Sequence, residues 1–305
     1  MKKELPEQLQ FMANRRAVQH ATAASVAGKV CVVTGSTSGV GLQAVRRLAA
    51  GGAHVVMVCR DHAKAEKERE EIISSTKARI DIVIADFSDL GQVRAAAATL
   101  LRDYPRIDVL INSAGIHSTT RTITRAGFET VFCVNHLAPF LFTSLLLDRM
   151  RASAPARIIQ VNSEGHRFSD FHLDDYNWER YHYTGLKGYG SSKTAQLLTT
   201  WEFSDLLSGS GVTINAMHPG DVRSNIGNNN GLLYRLFKRF FITPLMLKDP
   251  AISGHALYWL AAAPEMAGVS GRFFHLTIDE KPAAHALDRA KGRQVLELSR
   301  KLVGL

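Results

Sequence analysis

Lys29–Gly41, KVCVVTGSTSGVG, is the stretch on which the fold turns. Its first six residues, Lys29–Thr34, form a short β-branched run, and Gly41–Ala50 behind it repeats apolar residues at helical spacing. A Gly-rich turn between a strand and a helix is a place where backbone N–H groups and the helix dipole can hold a pyrophosphate. Gly35, Gly39 and Gly41 would let the backbone approach such a ligand, and Ser36, Thr37, Ser38 and Val40 complete the loop. The spacing, Gly-x-x-x-Gly-x-Gly, also fits a tight polar turn without a ligand. Its position after the first strand is what favours the phosphate reading.

Outward from this turn the alternation continues. His54–Cys59, Arg79–Ala85, Ile107–Asn112, Arg157–Val161 and Val212–Met217 read as strands. Asp61–Ser75, Asp89–Asp103, Gly127–Arg149 and Leu186–Leu207 read as helices. Alternation of this kind implies right-handed βαβ crossovers and a parallel sheet, hence an α/β, doubly wound, Rossmann-type fold of three layers in one domain. The expected organisation is an N-terminal helical arm over 1–27, a nucleotide-binding catalytic domain over 28–275 containing a substrate-loop segment over 221–248, and a C-terminal helical tail over 276–305, its helix at Ala284–Leu302.

With 46% hydrophobic and 21% charged residues in 305, the chain is globular material rather than a disordered one. Its formal charge of +9 suits nucleic acid, an anionic membrane surface or a phosphorylated cofactor. No zinc-finger, RNP or basic-zipper pattern is present, so nucleic acid is not expected as a partner. Cys31, Cys59 and Cys133 are odd in number, far apart and set among apolar neighbours, which implies reduced thiols in an intracellular setting. The N-terminus, MKKELPEQLQFMANRRAVQH, lacks the apolar core of a signal peptide, and no stretch reaches the ~18 apolar residues of a span. The expectation is a cytoplasmic protein, at most peripheral to a membrane.

At the end of the second strand a carboxylate would bind the ribose hydroxyls of NAD and repel the extra phosphate of NADP. This chain places Cys59-Arg60 there, which favours NADP(H), with NAD(H) as the second choice; Arg60 as a solvated first-turn residue is the bland alternative. Asp86, with Phe87 beside it, ends the third strand where it could meet the adenine, or it could cap the next helix, as could Ser88.

Tyr189 and Lys193 are four residues apart on one helical face. A phenol with a reference pKa near ~10 needs a nearby cation to favour its phenolate, and Lys193 could supply it. A surface Tyr–Lys pair has the same spacing. Context favours chemistry, because Ser163 closes a strand at the carboxyl edge of the sheet, and Asn112 and Asn135 lie near such edges or facing helices. His166, His172 and His182 read as scattered surface histidines.

With Thr34–Gly41, Asp86, Asn112-Ser113-Ala114-Gly115, Asn135, Ser163, Tyr189 with Lys193, and Pro219-Gly220 in this order, the sequence resembles the short-chain dehydrogenase/reductase superfamily over nearly its whole length. Within it, the retinol dehydrogenase-like branch is most similar. That likeness rests on Val58-Cys59-Arg60-Asp61, Met217-His218-Pro219-Gly220 followed by Val222-Arg223-Ser224, Ser270–Phe274, and the ending Leu296–Leu305.

The resemblance implies that Tyr189 is the general acid or base and that Lys193 lowers its pKa and binds the nicotinamide ribose. It implies that Ser163 bonds the substrate oxygen and that Asn135 organises a relay water. Asn112, Ala114 and Gly115 would shape the cofactor pocket, and Val222 and Ser224, after Pro219 and Gly220, would approach the nicotinamide amide. A homodimer through the helices near 127–149 and 186–207 is also implied. Ser113, Asn162 and Ser224 depart from the usual residues by polar-for-polar exchange, and 168–188 is a long insert between Ser163 and Tyr189 that could wall the substrate site.

The function expected is hydride transfer between NADP(H) and a lipophilic alcohol or carbonyl; an NADP(H)-binding scaffold or redox sensor is the alternative. Gly231–Ile242, GLLYRLFKRFFI, is compatible with a lid, a peripheral membrane contact or ordinary packing.

Overall fold

The computed structural model describes Asn14, residues 17–220 and residues 249–305. The apolar run that opens the domain becomes β1 (Val30–Thr34), all five residues of it buried. Val30 and Val32 enter one hydrophobic cluster, Cys31 and Val33 another, so the strand is covered on both faces. That double burial is why it reads as a continuous apolar run rather than an alternating one.

Beyond β1 come α1 (Gly39–Ala50), β2 (His54–Cys59), α2 (His62–Thr76), β3 (Ile80–Ile84), α3 (Leu90–Asp103) and β4 (Val109–Asn112). The second half carries α4 (Thr130–Ala152), β5 (Ala156–Val161), α5 (Gly185–Leu206), β6 (Val212–His218), α6 (Ala251–Ala262), β7 (Phe273–His275), β8 (Ile278–Asp279) and α7 (Arg289–Val303). The strands form one sheet in the order β3-β2-β1-β4-β5-β6-β7-β8. All neighbours are parallel except β7 and β8. The order reverses between β1 and β4, so the connections leaving their carboxyl ends diverge and open a crevice there.

The two faces are filled differently. On one, Leu42, Val45 and Leu48 of α1 pack with α6 over Cys31, Val33, Val55 and Met57. The approach is close: a Cβ on Gly254 of α6 would stand 2.7 Å from Gln43 O. On the other face α3, α4 and α5 pack against Val32, Val56 and Leu110. α4 contains a π-helical turn, Cys133–Leu137, and is long and apolar enough to cross a membrane. Its apolar window is 78% buried inside the protein, which makes it a core helix here.

The described residues bear on three expectations. The described part of the N-terminal arm, residues 17–27, is not helical. It is pinned instead across the β7–β8 turn: His20 N donates to Thr277 Oγ1 (2.8 Å), Thr277 N donates to Gln19 Oε1 (3.0 Å), and the His20 ring stacks on Trp259. The tail likewise begins as a strand, β8, and its long helix starts at Arg289, where Asp288 caps Lys291 N. Finally, α5 is buried along its middle, Gly190–Phe203 throughout. α7 lies on it so closely that a Cβ on Gly292 would meet Glu202 Oε1 at 2.7 Å and Leu198 O at 3.3 Å.

Candidate active site

The turn after β1 is shaped by its glycines. Gly35 has φ +65°, and a Cβ there would lie 2.7 Å from Ala114 Cα; at Gly41 one would lie 2.4 Å from Gly35 O. Only glycine fits this fold of the loop against the β4 end. Thr34 Oγ1 fixes the approach by accepting from Ser113 N and Ala114 N, both at 3.0 Å. Ser38, the N-cap of α1, makes no side-chain cap bond, so the first N–H groups of the helix face the crevice without an intrahelical partner. This is a cradle that a Cβ would fill and a phosphate can occupy.

The crevice has a volume of 840 Å³, and Gly35, Thr37, Ser38, Gly39, Val40 and Gly41 line it together with Ala114, Gly115, Pro219 and Gly220. Ser36 is turned the other way: it is fully buried and its Oγ donates to Val58 O at 3.3 Å. Asn112 is also beneath the surface, its Nδ2 donating to Thr143 Oγ1 at 2.9 Å. These two serve the loop's foundation rather than its lining. Phe87 reaches the wall, but its ring packs edge-on against Phe142 in the core.

At the adenosine end Arg60 is exposed on the rim, with Lys64 one turn into α2 on the same wall. Asp61 lies on the same wall and caps α2, its Oδ1 accepting from Lys64 N at 3.0 Å. Asp86 Oδ1 accepts from Ser88 N and Ser88 Oγ, both at 2.8 Å, while the cap of α3 is Asp89, which neither of the two residues expected there provides.

Ser163, Tyr189 and Lys193 meet at the other end of the crevice. Two glycines make room for the tyrosine: a Cβ on Gly165 would stand 2.8 Å from its ring, and one on Gly190 would stand 2.6 Å from Gly165 O. Tyr189 is hydrogen-bonded to Ser163, which favours its ionised form, yet burial outweighs this and holds the phenol above its usual pKa. Lys193 stands beside it. The ammonium sits 5.9 Å from the ring centre and is directed at Val161 O (2.8 Å) and Gln196 Oε1 (3.4 Å). Burial in turn pulls Lys193 down to about 7.

Asn135 occupies the π turn of α4, where an extra residue is inserted into the helix. Its Oδ1 accepts from Ile116 N (2.8 Å) and its Nδ2 donates to Ile116 O (3.0 Å) and Ser192 Oγ (3.0 Å). The side chain thus ties the β4 loop to α5 beside Lys193.

A model of the short chain dehydrogenase family matches residues 29–232. The chain belongs to the short-chain dehydrogenase/reductase family. It is 37% identical to Retinol dehydrogenase 13 of Homo sapiens over 286 residues, covering 92% of this chain and 86% of that protein. It is 36% identical to Retinol dehydrogenase 14 of Mus musculus over 296 residues, with 91% and 86% covered. Among solved structures it is similar to an uncharacterized protein from Mycobacterium paratuberculosis, with a TM-score of 0.73, 28% identity, and 94% and 98% of the chains covered. The chain is thus a retinol dehydrogenase-like member, an oxidoreductase that acts on CH–OH groups by hydride transfer to or from a nicotinamide cofactor.

Several residues around this short-chain dehydrogenase site escape a reading of the sequence. Lys64 would have been reachable from Arg60 by helical spacing. Gln196 and Asn162 would not: Asn162 Nδ2 donates to Lys193 O (2.9 Å) and Gln196 Oε1 (2.8 Å), tying the end of β5 to α5. Of the three histidines expected on the surface, His182 is exposed and His172 is half-buried against Tyr181, but His166 has no exposed surface at all. The insert is tied down at two points. Tyr183 OH donates to Ser118 O (3.1 Å), and Arg121 Nε donates to Asn177 O (2.7 Å), which pins it to the loop that carries His117 against Tyr189.

Behind Ser163, Glu164, His218 and His275 bring ligand-type atoms within 4.8 Å of one another. Arg167 already supplies positive charge there, through ion pairs to Glu164 and, at 2.9 Å, to Glu280. His218 Nδ1 accepts from Glu164 N at 3.4 Å, which puts the ring proton on Nε2 and withdraws that lone pair from coordination. Burial and the neighbouring Glu280 push Glu164 up to about 8. Two carboxylates sharing one guanidinium suit proton sharing better than a cation.

Val222, Ser224 and the 231–242 segment lie outside the described residues.

Proposed function

We propose that the protein is an NADP(H)-dependent oxidoreductase that interconverts a lipophilic alcohol and its carbonyl, with Tyr189 as the proton-transfer group. The observation that carries this reading is the joining of Ser163, Tyr189 and Lys193 to the glycine cradle in one crevice whose far rim bears Arg60 and Lys64. When bound, the cofactor supplies or takes up the hydride.

The rest falls to the chain. The N–H groups at the start of α1 hold the pyrophosphate, and Arg60 with Lys64 binds the 2′-phosphate that a carboxylate at 59 would have repelled. Ser163 hydrogen-bonds the substrate oxygen. Tyr189, whose phenol stays protonated through neutral pH, gives its proton as charge develops on that oxygen and takes it back in the reverse direction. Asn135 keeps Ile116 and Ser192 in register around Lys193, which binds the nicotinamide ribose; Ala114, Gly115, Asp86, Phe87, Pro219 and Gly220 complete the cofactor wall.

For the substrate, the relatives' names point to retinol, a lipophilic alcohol, and exposed Phe168, Tyr181 and Leu186 on the insert and the start of α5 offer apolar surface to a molecule of that kind. The proposal covers a cytoplasmic protein with peripheral membrane contact through 231–242. The deciding assay follows NADPH absorbance with a panel of lipophilic aldehydes, ketones and quinones. Tyr189→Phe is expected to lose about 10³-fold in kcat while still binding NADPH. Equal turnover by wild type and variant on every substrate would refute the assignment.

A further inference from the structure

We propose that His166 is a positioning residue for Ser163, through which the downstream segment Glu280–His285 sets the orientation of the serine hydroxyl. This rests on the reading of Ser163 as the partner of the substrate oxygen.

Ser163 caps the short 3-10 turn Glu164–Phe168, its Oγ accepting from Gly165 N at 3.0 Å. With that lone pair taken, the direction of the hydroxyl depends on how the turn is held. Two hydrogen bonds converge on the Ser163 carbonyl, one from His166 N (3.2 Å) and one from His166 Nδ1 (2.7 Å). On the far side of the ring, Nε2 lies 3.1 Å from Ala283 N.

These partners settle the ring's protonation without any choice. A backbone carbonyl can only accept, so Nδ1 carries the proton; a backbone amide can only donate, so Nε2 is bare. An imidazolium would set a second N–H against that of Ala283, and the ring's burial agrees, holding its pKa down to about 3. His166 is therefore a neutral, single-tautomer bridge between the serine's carbonyl and a residue 117 positions away.

The same downstream segment grips the turn at two further points. His285 Nε2 lies 2.8 Å from His166 O, and Arg167 Nη2 donates to Glu280 Oε1 and Lys281 O, both at 2.9 Å. Thr194 Oγ1 adds a bond to His166 O at 3.2 Å, from the helix that carries Tyr189 and next to Lys193. The serine turn is thus held between α5 and the 280–285 segment, with the imidazole as its inner contact.

The test uses the full chain. His166→Ala is expected to lower kcat about 10- to 100-fold, leave NADPH affinity within about twofold, and add less than about twofold when placed on Ser163→Ala, since residues acting through one another are not additive. His166→Asn keeps a donor near the Nδ1 position and His166→Gln an acceptor near the Nε2 position; Asn is expected to restore kcat better than Gln. A merely structural link to the downstream segment would give the opposite order. The ¹⁵N shifts of the His166 ring should report the Nδ1-protonated tautomer across the neutral pH range, a readout independent of turnover and of whether the alanine variant folds.

Equal losses in the wild-type and Ser163→Ala backgrounds, or an Nε2-protonated ring, would overturn the proposal. Full activity of Ser163→Ala alone would instead overturn the reading of Ser163, while the ring shifts would still report on the bridge.

Discussion

The two ends of the crevice are built by opposite means. At the cofactor end, backbone does the work: glycines at 35, 39 and 41, an uncapped helix start, an exposed cation at Arg60 and a half-buried one at Lys64. At the substrate end, buried side chains do it. Lys193 and His166 are stripped of water, and their hydrogen bonds reach Val161 and Ala283 from distant parts of the chain. A solvated end can bind charge with little effect on stability, whereas a desolvated end holds groups in protonation states that oppose folding.

Lys193→Met is the sharpest way to separate the ends. It should abolish turnover, by about 10³-fold or more, while raising the melting temperature of the cofactor-free protein by a few degrees. The sign follows from a folded pKa of about 7 against 10.5 for an unburied lysine: between these values the unfolded chain binds more protons, so the native lysine destabilises. A lower melting temperature would break the contrast.

Acidification should strike the same end. His136 and His166 both have folded pKa values of about 3, below the ordinary 6.5. Their contribution is complete above pH 6.5 and is lost as pH falls toward 3, by up to about 1.4 kcal/mol per pH unit for each ring. Urea unfolding at several pH values should show this slope, and His136→Phe, a ring already set among Phe132, Phe140 and Phe171, should remove one ring's share of it, His218 being held low by burial as well.

At the other end Arg60→Ala with Lys64→Ala should weaken NADPH about 10- to 100-fold and leave NADH within about twofold, as dissociation constants will tell. Equal weakening of both cofactors would refute the 2′-phosphate role. The smallest effect is expected from Ser36→Ala, less than about 1 kcal/mol of stability and no change in NADPH affinity, because its hydroxyl faces Val58 rather than the cleft.

The same division explains what could be read in advance. The sheet, the glycine turn, Arg60 and the order Ser163, Tyr189, Lys193 are legible because strand periodicity, turn chemistry and helical spacing are local. Which way a loop residue faces is not local: Ser36 and Thr37 are neighbours of similar chemistry, yet only the second lines the crevice. Asn112 looked like a pocket residue because it ends a strand, but Thr143 of α4 takes its amide inward. His166 lay in a polar stretch that reads as surface, and the return of residues 280–285, with Phe273, buries it. The burial of Tyr189 is illegible for a related reason, since spacing gives proximity to a cation and says nothing about lost hydration.

The return of residues 280–285 to the serine turn also has a consequence in time. Synthesis runs from the N-terminus, so the glycine cradle and its first strands leave the ribosome long before the residues that close the turn around Ser163. A growing chain can collect its nucleotide site early and still lack a seated serine. Reaction is thereby postponed until nearly all of the domain has emerged, and any cleavage that detaches residues 280–287 should leave a protein that holds its cofactor and turns over poorly.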